Sequence, residues 1–359
     1  MTSNGVRLLI TTQAVDLNDP VLGFFHSWIT EISKRCESVH VICLKEGRHN
    51  LPKNVAVYSL GKHSFQGLPL ESKGSPWIMR IRYIWRFYKY IWTFRKEYDS
   101  VFVHMNQEYV LLGGKFWWLW GKRVVLWRNH KMGSVWTHIA GFFAHTVCYT
   151  SPSAYVASFR NARQMPIGID TGSFKPSGSA DPHSLLFLGR LDAVKKPEIL
   201  LQALEILARE KVSYNVDIIG DPTPGREAFA NELKKNFSHV PHVVFKPAIR
   251  NDEALAVYNA HAIYVNLTPS GSFDKTIGEA MACGCIVVVT NDAVRDIIPP
   301  AFLVDVQSVE SVAAGLRAAL ALSEDKRKEL ASNMRRYVVS EHSLALLASR
   351  LFALYKPAE

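Results

Sequence analysis

The sequence predicts an α/β protein made of two doubly wound parallel-sheet domains. Three observations carry this expectation. Short, continuous apolar runs rich in Val and Ile alternate with helix-like segments along most of the 359 residues. The alternation restarts at Ser184, after a stretch, Arg163–His183, punctuated by three prolines and three glycines. The length suits two domains of ordinary size, and an apolar share of 48% against 21% charged residues gives each a core. Domains are expected at 1–168 and 169–340, with a closing helix in 341–359 that returns to the first domain.

In the first half, strands are expected at Val6–Thr12, Ser38–Leu44, Val55–Leu60, Ser100–His104, Arg123–Trp127 and Thr146–Thr150. In the second they are expected at Ser184–Leu188, Tyr214–Ile219, Val243–Lys246, Ala262–Val265, Ile286–Thr290 and Ala301–Val304. These runs are continuous in apolar character rather than alternating, as in strands covered on both faces. Helices are expected at Pro20–Arg35, Pro76–Lys96, Pro197–Arg209, Arg226–Phe237, Asp252–Asn259 and Thr276–Ala282; the first three open on a proline, which suits a first helical turn. After Val304 the pattern turns helical, at Val309–Leu322, Glu324–Val339 and Ser343–Leu354. Sheets of this kind bind ligands beyond the carboxyl ends of their strands. The loops after Thr12, His104, Trp127, Leu188, Ile219 and Val265 are therefore the places to search.

The net charge of +10 is unevenly spread. Residues 1–170 hold 21 Lys and Arg against 10 Asp and Glu, whereas 171–359 hold 21 against 22. The basic first half points to an anionic partner. The five cysteines are odd in number and form no Cys-x-x-Cys pair, which favours a reducing cytoplasm over a disulfide framework. Cys283-Gly284-Cys285 lacks a second pair of metal ligands, so no metal site is expected. Val6–Thr12 is too short for a secretory signal and is followed by Asp16 and Asp19. No uncharged apolar run reaches the ~18 residues of a spanning helix.

Thr268–Gly284 is the stretch richest in chemistry. A loop rich in Gly and Ser follows one apolar run and opens a helix, which presents backbone N–H groups to an anion. Glu279 places a carboxylate near the first turn, suited to a sugar hydroxyl. A second loop, Leu188–Pro197, also leaves a strand and opens a helix; it carries Arg190, a bidentate fork for phosphate oxygens, and Lys195. Either loop alone also reads as an ordinary basic turn and helix start. Together they can converge on one diphosphate.

These motifs resemble those of the family-4 glycosyltransferases, whose fold is GT-B: two Rossmann-like domains facing a central cleft. The resemblance covers nearly the whole chain and is strongest over 164–290. It implies that Arg190 and Lys195, in Gly189-Arg190-Leu191…Lys195, bind the donor diphosphate. It implies that Glu279, opening Glu-Ala-Met-Ala-Cys-Gly at Glu279–Gly284, takes the ribose hydroxyls. Gly220, in Ile219-Gly220-Asp221, matches a strand-end glycine loop near the nucleotide, and Met165–Pro176 matches the interdomain segment. The first Glu of the family's Glu-x7-Glu motif is replaced by Gly271. Asp274 and Lys275 are candidates to substitute for it, and Phe273–Thr276 would lie beside sugar and diphosphate; Asp274 equally reads as a helix cap.

In the first half, Asp16, Asn18, Asp19 and His104 are candidate acceptor-binding residues, although Asp19-Pro20 also reads as a cap and first turn. His130, beyond the fifth strand, is a candidate group against the donor sugar. Pro76–Lys96 interleaves aromatic residues with Arg82, Arg86 and Lys89, and Phe116–Arg123 repeats the theme. Both readings of these segments stay open: helices buried against the sheet, or a surface for an anionic membrane. No nucleic-acid motif accompanies them, so nucleic acid is not expected as a partner.

The expected function is transfer of a sugar from a nucleotide diphosphate sugar to a glycan or lipid-linked acceptor, with the retention the resemblance implies. No cofactor is expected to be required and no metal. His130, Arg190, Lys195, Asp274 and Lys275 are the expected catalytic set, with Gly220, Phe273, Thr276 and Glu279 holding the donor. The expected location is the cytoplasm, at the inner face of the membrane if the aromatic segments meet lipid. Two other readings compete: a nucleotide-sugar epimerase of similar shape, and a non-catalytic anion-binding module. The absence of Gly-x-Gly-x-x-Gly after the first strand argues against a dehydrogenase.

Overall fold

A computed structural model describes residues 5–19, 21–62, 76–269 and 273–355. Pro20 and the replaced position Gly271 lie outside the described residues. The chain divides into two compact units, Met1–Met165 with Leu347–Glu359, and Pro166–Leu346.

The first unit holds β1 (Val6–Val15), α1 (Phe25–Ser33), β2 (Cys36–Glu46), β3 (Val55–Ser59), α2 (Pro76–Thr93), β4 (Ser100–His104), α3 (Glu108–Leu119), β5 (Arg123–Trp127), α4 (Val135–Phe143), β6 (Thr146–Tyr149) and β7 (Ala162–Gln164). Its seven strands are all parallel, in the order β3-β2-β1-β4-β5-β6-β7. The order reverses between β1 and β4, which opens a crevice at their carboxyl ends. The C-terminal segment closes this unit: the buried Tyr355 hydroxyl donates to the Val101 carbonyl at 3.3 Å.

The second unit holds β8 (Asp181–Leu188), α5 (Pro197–Arg209), β9 (Asn215–Ile219), α6 (Glu227–Asn236), β10 (Val243–Lys246), α7 (Ala254–Asn259), β11 (His261–Asn266), α8 (Lys275–Ala282), β12 (Ile286–Val289), α9 (Val309–Leu320), α10 (Glu324–His342) and the start of α11 (Leu344–Ala353). Its five parallel strands run β10-β9-β8-β11-β12, reversing between β8 and β11. Leu185, Leu186, Ile263 and Val287 are fully buried, as strands covered on both faces require.

Several expectations are corrected. Ala301–Val304 is not a strand. Pro300 opens a short 3-10 turn, Pro300–Phe302, and only a single bridge, Leu303 to Val289, pairs with the sheet. Two helices, α3 and α4, and the short strand β7 were not expected. The ends of the Pro- and Gly-punctuated stretch Arg163–His183 belong to strands: Arg163 and Gln164 close β7, and Asp181–His183 open β8. Cys283 and Cys285 are core thiols: burial pushes Cys283 up to about 12, and the Cys285 thiol donates to the Tyr258 carbonyl at 3.2 Å.

Candidate functional site

The crevice between β8 and β11 collects the residues of the two motif loops. β8 ends at Leu188, and the chain leaves through Gly189 into a 3-10 turn, Ala193–Lys195, capped by Asp192, whose carboxylate accepts the Val194 N–H at 3.1 Å. The second Asp192 oxygen accepts the Thr223 hydroxyl at 2.9 Å, tying this loop to the one after β9. These two hydrogen bonds hold the Asp192 carboxyl below its ordinary value. Gly220 begins the loop after β9 with φ of +154°, and a Cβ there would stand 1.9 Å from the Gly189 carbonyl oxygen. Only glycine lets the two strand ends lie this close.

β11 ends at Asn266, and α8 opens after Asp274. Asp274 caps the helix, accepting the Thr276 N–H at 3.3 Å and the Thr276 hydroxyl at 2.9 Å. Its other oxygen accepts Lys195 Nζ at 2.7 Å and the Asn266 amide at 3.1 Å. Burial pushes this carboxyl up, but Lys195 and the hydrogen bonds from Lys195, Asn266 and Thr276 outweigh it and hold it below the ordinary value. Of the two readings the sequence offered for Asp274, the structure shows the helix cap. Beneath it, the buried Tyr264 hydroxyl donates to Thr276 Oγ1 at 2.7 Å.

Arg190 is exposed beside this cluster, and its guanidinium makes no hydrogen bond to any described residue. The three donors expected for the anion cradle therefore face different surroundings. Arg190 is open to a ligand, while Lys195 and the Thr276 N–H already meet Asp274.

Glu279 lies one turn deeper in α8, 7% exposed, and accepts the Tyr258 hydroxyl at 3.2 Å. Burial drives its carboxyl toward the neutral form, against the pull of Lys275 one turn earlier. Lys275 Nζ donates to the Gly168 carbonyl at 3.0 Å; burial drives it too toward neutrality, opposed by Glu279 and Asp170. Phe273 is buried edge-on against His342, with ring centroids 4.9 Å apart. Gly278 lets α8 press on the segment leading into β8, because a Cβ there would stand 2.6 Å from Ile167 Cδ1.

The first unit has its own strand-end cluster at the reversal between β1 and β4. His104 is buried at 1%, stacked on Phe25 at 3.8 Å between centroids, with Nδ1 3.1 Å from Thr12 Oγ1. Its ring is part of the core. Asp16 is also buried: it accepts the Asn18 and Arg48 N–H groups and pairs with Lys45 at 3.2 Å. Asp19 accepts the Val21 and Leu22 N–H groups, as a turn cap does. Asn18 is exposed. His130 is exposed in the loop after β5, with Nδ1 beside both the N–H and the carbonyl of Met132 at 3.1 Å.

Reasoning on the sequence did not single out Tyr258, Tyr264, Asn266, Asp192 or Thr223. A polar Asn closing an otherwise apolar run was the available signal for Asn266. The others are core or turn residues whose partners lie far along the chain. Among the described residues no group of three metal-ligating side chains comes together.

Residues 182–322 match the family described as glycosyl transferases group 1. The D-inositol 3-phosphate glycosyltransferase of Pseudarthrobacter chlorophenolicus is 26% identical over 140 residues, 38% of this chain and 31% of the relative. That of Geodermatophilus obscurus is 27% identical over 205 residues, 51% and 44% of the two chains. The chain thus spans about a third to under half of the length of these relatives. Anabaena HepE, solved with UDP and glucose, shares the fold with a TM-score of 0.73 over 97% of this chain and 98% of its own, at 17% identity. Sucrose-phosphate synthase of Thermosynechococcus elongatus does so with a TM-score of 0.76 over the same shares, at 16% identity. Residues 182–322 are thus similar to the glycosyl transferases group 1 family, and the likeness in fold extends over nearly the whole chain, which has the GT-B fold.

Proposed function

We propose that the chain transfers a sugar from a nucleoside diphosphate sugar to an acceptor hydroxyl, with retention of anomeric configuration. The observation that carries this reading is the meeting of two strand-end loops at the β8–β11 crevice, where Lys195 Nζ stands 2.7 Å from Asp274 Oδ2. The group 1 glycosyltransferase match over 182–322 supports it, as does the UDP bound by a protein of like fold.

In this reading Arg190 grips the diphosphate bidentately. Lys195 spends one of its three N–H donors on Asp274 and offers the others to phosphate oxygens. Negative charge grows on the leaving diphosphate in the transition state, and these cations stabilise it where it develops. A leaving-group oxygen then takes the proton of the incoming acceptor hydroxyl on the same face, which preserves configuration. Glu279 holds the ribose, and Phe273, Asp274 and Lys275 border the sugar in place of the acidic residue missing at Gly271. His130 and Asn18, both exposed, and the loop bearing Asp16 and Asp19 serve the sugar and acceptor. The acceptor is a glycan or lipid-linked intermediate on the cytoplasmic side, and no metal takes part.

The test is a panel of UDP-, GDP- and ADP-sugars, incubated with polyprenyl-linked and soluble acceptors, with products resolved by mass and anomeric configuration by NMR. Transfer with retention from one donor is expected. Conversion of a donor to its epimer without acceptor, or no turnover of any donor, overturns the reading.

A further inference from the structure

Helices α2, α3 and α4 cover one face of the seven-stranded sheet. The connections β3 to β4, β4 to β5 and β5 to β6 all step the same way across it, so right-handed crossovers put their helices on the same side. Phe87, Trp117 and Ala140, one from each helix, share the core beneath. On the outside the aromatic contacts run from helix to helix: Trp92 of α2 meets Phe116 and Trp120 at 6.2 and 5.3 Å. α4 presses on α3, with Phe143 against the surface of Gly114.

The outer surface of this layer does not look like one built for water. Trp85 is 62% exposed, Trp118 65%, Trp136 61% and Phe142 83%. α4, with the sequence VWTHIAGFF, carries no Asp, Glu, Lys or Arg at all, although much of it is exposed. A run of large exposed aromatics over three adjacent helices marks an interaction surface.

We infer that this face docks on an anionic lipid bilayer. Charge decides the occupant. α2, α3 and α4 together hold five Lys and Arg (Arg80, Arg82, Arg86, Lys89 and Lys115) against one acidic residue, Glu108, a surplus that complements an anionic surface. The cations sit where headgroup contact needs them. On α2, Arg82 and Lys89 are exposed beside the apolar stripe, and Lys89 Nζ lies over the Trp85 ring at 5.6 Å. Arg95 lies over Trp92 at 5.4 Å. Tryptophan rings at headgroup depth, flanked by cations on phosphates, are the pattern of a helix lying in the interface. No helix of the described residues is long and apolar enough to cross a membrane, so the layer rests on the bilayer rather than spanning it. The proposal is independent of the donor site and goes beyond the transfer reaction.

The experiment is flotation of the full chain with vesicles of phosphatidylcholine alone or phosphatidylcholine with phosphatidylglycerol, at low and high salt. Binding is expected to the anionic vesicles, to weaken with salt, and to be accompanied by quenching of tryptophan fluorescence by brominated lipid. The double variant W118S/F142S and the double variant R82E/K89E are each expected to lower binding about tenfold or more. Both change exposed side chains, and near-UV circular dichroism unchanged from wild type verifies folding. No binding to anionic vesicles overturns the proposal, as does binding that both variants retain. Sedimentation of the lipid-free chain supplies the remaining outcome: a dimer that W118S/F142S dissolves, with no vesicle binding, assigns the face to a second copy and overturns the proposal. Donor hydrolysis measured in solution on the same samples separates this outcome from failure of the transfer reading.

Discussion

Lys195 Nζ lies 2.7 Å from an oxygen of Asp274, joining the turn after β8 to the start of α8 across 79 residues of sequence. Asp274 is held below its ordinary pKa, so its contribution to stability is present above the unfolded carboxyl value of ~3.9 and is lost as pH falls through the lower folded value. Lys195→Met removes the cation and leaves burial to push the carboxyl up. We expect it to cost about 1–3 kcal/mol at neutral pH, and the cost to shrink as pH falls and the carboxyl protonates. Urea unfolding of both proteins from pH 7 down to pH 3 checks this. A cost that is the same throughout the range would rule out a charge origin.

Gly220 and Gly189 set how near the β9 and β8 loops can come. Gly220→Ala forces a Cβ to 1.9 Å from a backbone carbonyl, which has no rotamer to escape by. A loss of about 2–4 kcal/mol is expected, from the clash and from a backbone angle that only glycine adopts freely. Gly278→Ala meets a flexible Ile167 side-chain tip at 2.6 Å and is expected to cost less. Thermal melts of the two variants decide the order.

Much of this was readable in the chain, for physical reasons. β4, β5, β10 and α5 have the bounds expected from their residues, since turn-forming or charged neighbours bracket each apolar run. α3 and α4 were invisible because their exposed sides are as apolar as their buried ones: Trp118 and Phe142 are exposed while Trp117 and Ala140 are buried. A helix whose outer face is apolar has no polar period to detect. The strand expected at Ala301–Val304 failed because Pro300 at its head favours a turn. The strand-to-helix turns that carry Arg190, Lys195 and the α8 start were legible because turn chemistry is local. The Lys195–Asp274 pair was not, because partners 79 residues apart leave no mark in spacing, and the bonds of Tyr264 and Asn266 to Thr276 and Asp274 were not, because they depend on how the loop after β11 folds back. The stacking of His104 on Phe25 was not legible for a similar reason: a strand-end histidine looks the same in sequence whether it faces a ligand or stacks on a ring.

Glu279 and Lys275 share a buried stretch of α8, and each is driven by burial toward its neutral form while the other opposes it. Removing one partner should expose the cost of the other. Glu279→Gln leaves Lys275 with its pKa depressed further; the unfolded state then binds more protons than the folded one. Stability of this variant should therefore rise as pH increases from 7 to 9. A double-mutant cycle with Lys275→Met should return a coupling of about 0.5–3 kcal/mol. Additive losses would show that the two side chains do not sense each other.

The two histidines of the first unit should separate stability from activity. His104→Ala opens a hole beside Phe25 and orphans the Thr12 hydroxyl, and a loss of about 2–4 kcal/mol is expected. His130→Ala changes an exposed loop and should leave the melting temperature within error, while lowering the transfer rate. Melting and steady-state rates on both proteins check the pair; a destabilised His130→Ala with normal specific activity would make His130 structural.

The central claim is that the β8–β11 crevice binds a nucleoside diphosphate through Arg190, and isothermal titration calorimetry tests it most directly. UDP, GDP and ADP are titrated into the wild type and into Arg190→Ala. Arg190 is exposed and bonded to no described residue, so its loss should leave the fold intact. The account predicts that one of the three nucleotides binds the wild type, and that Arg190→Ala binds it about tenfold or more weakly, the loss of a charge-assisted pair. No binding of any of the three, or equal binding to both proteins, would contradict it.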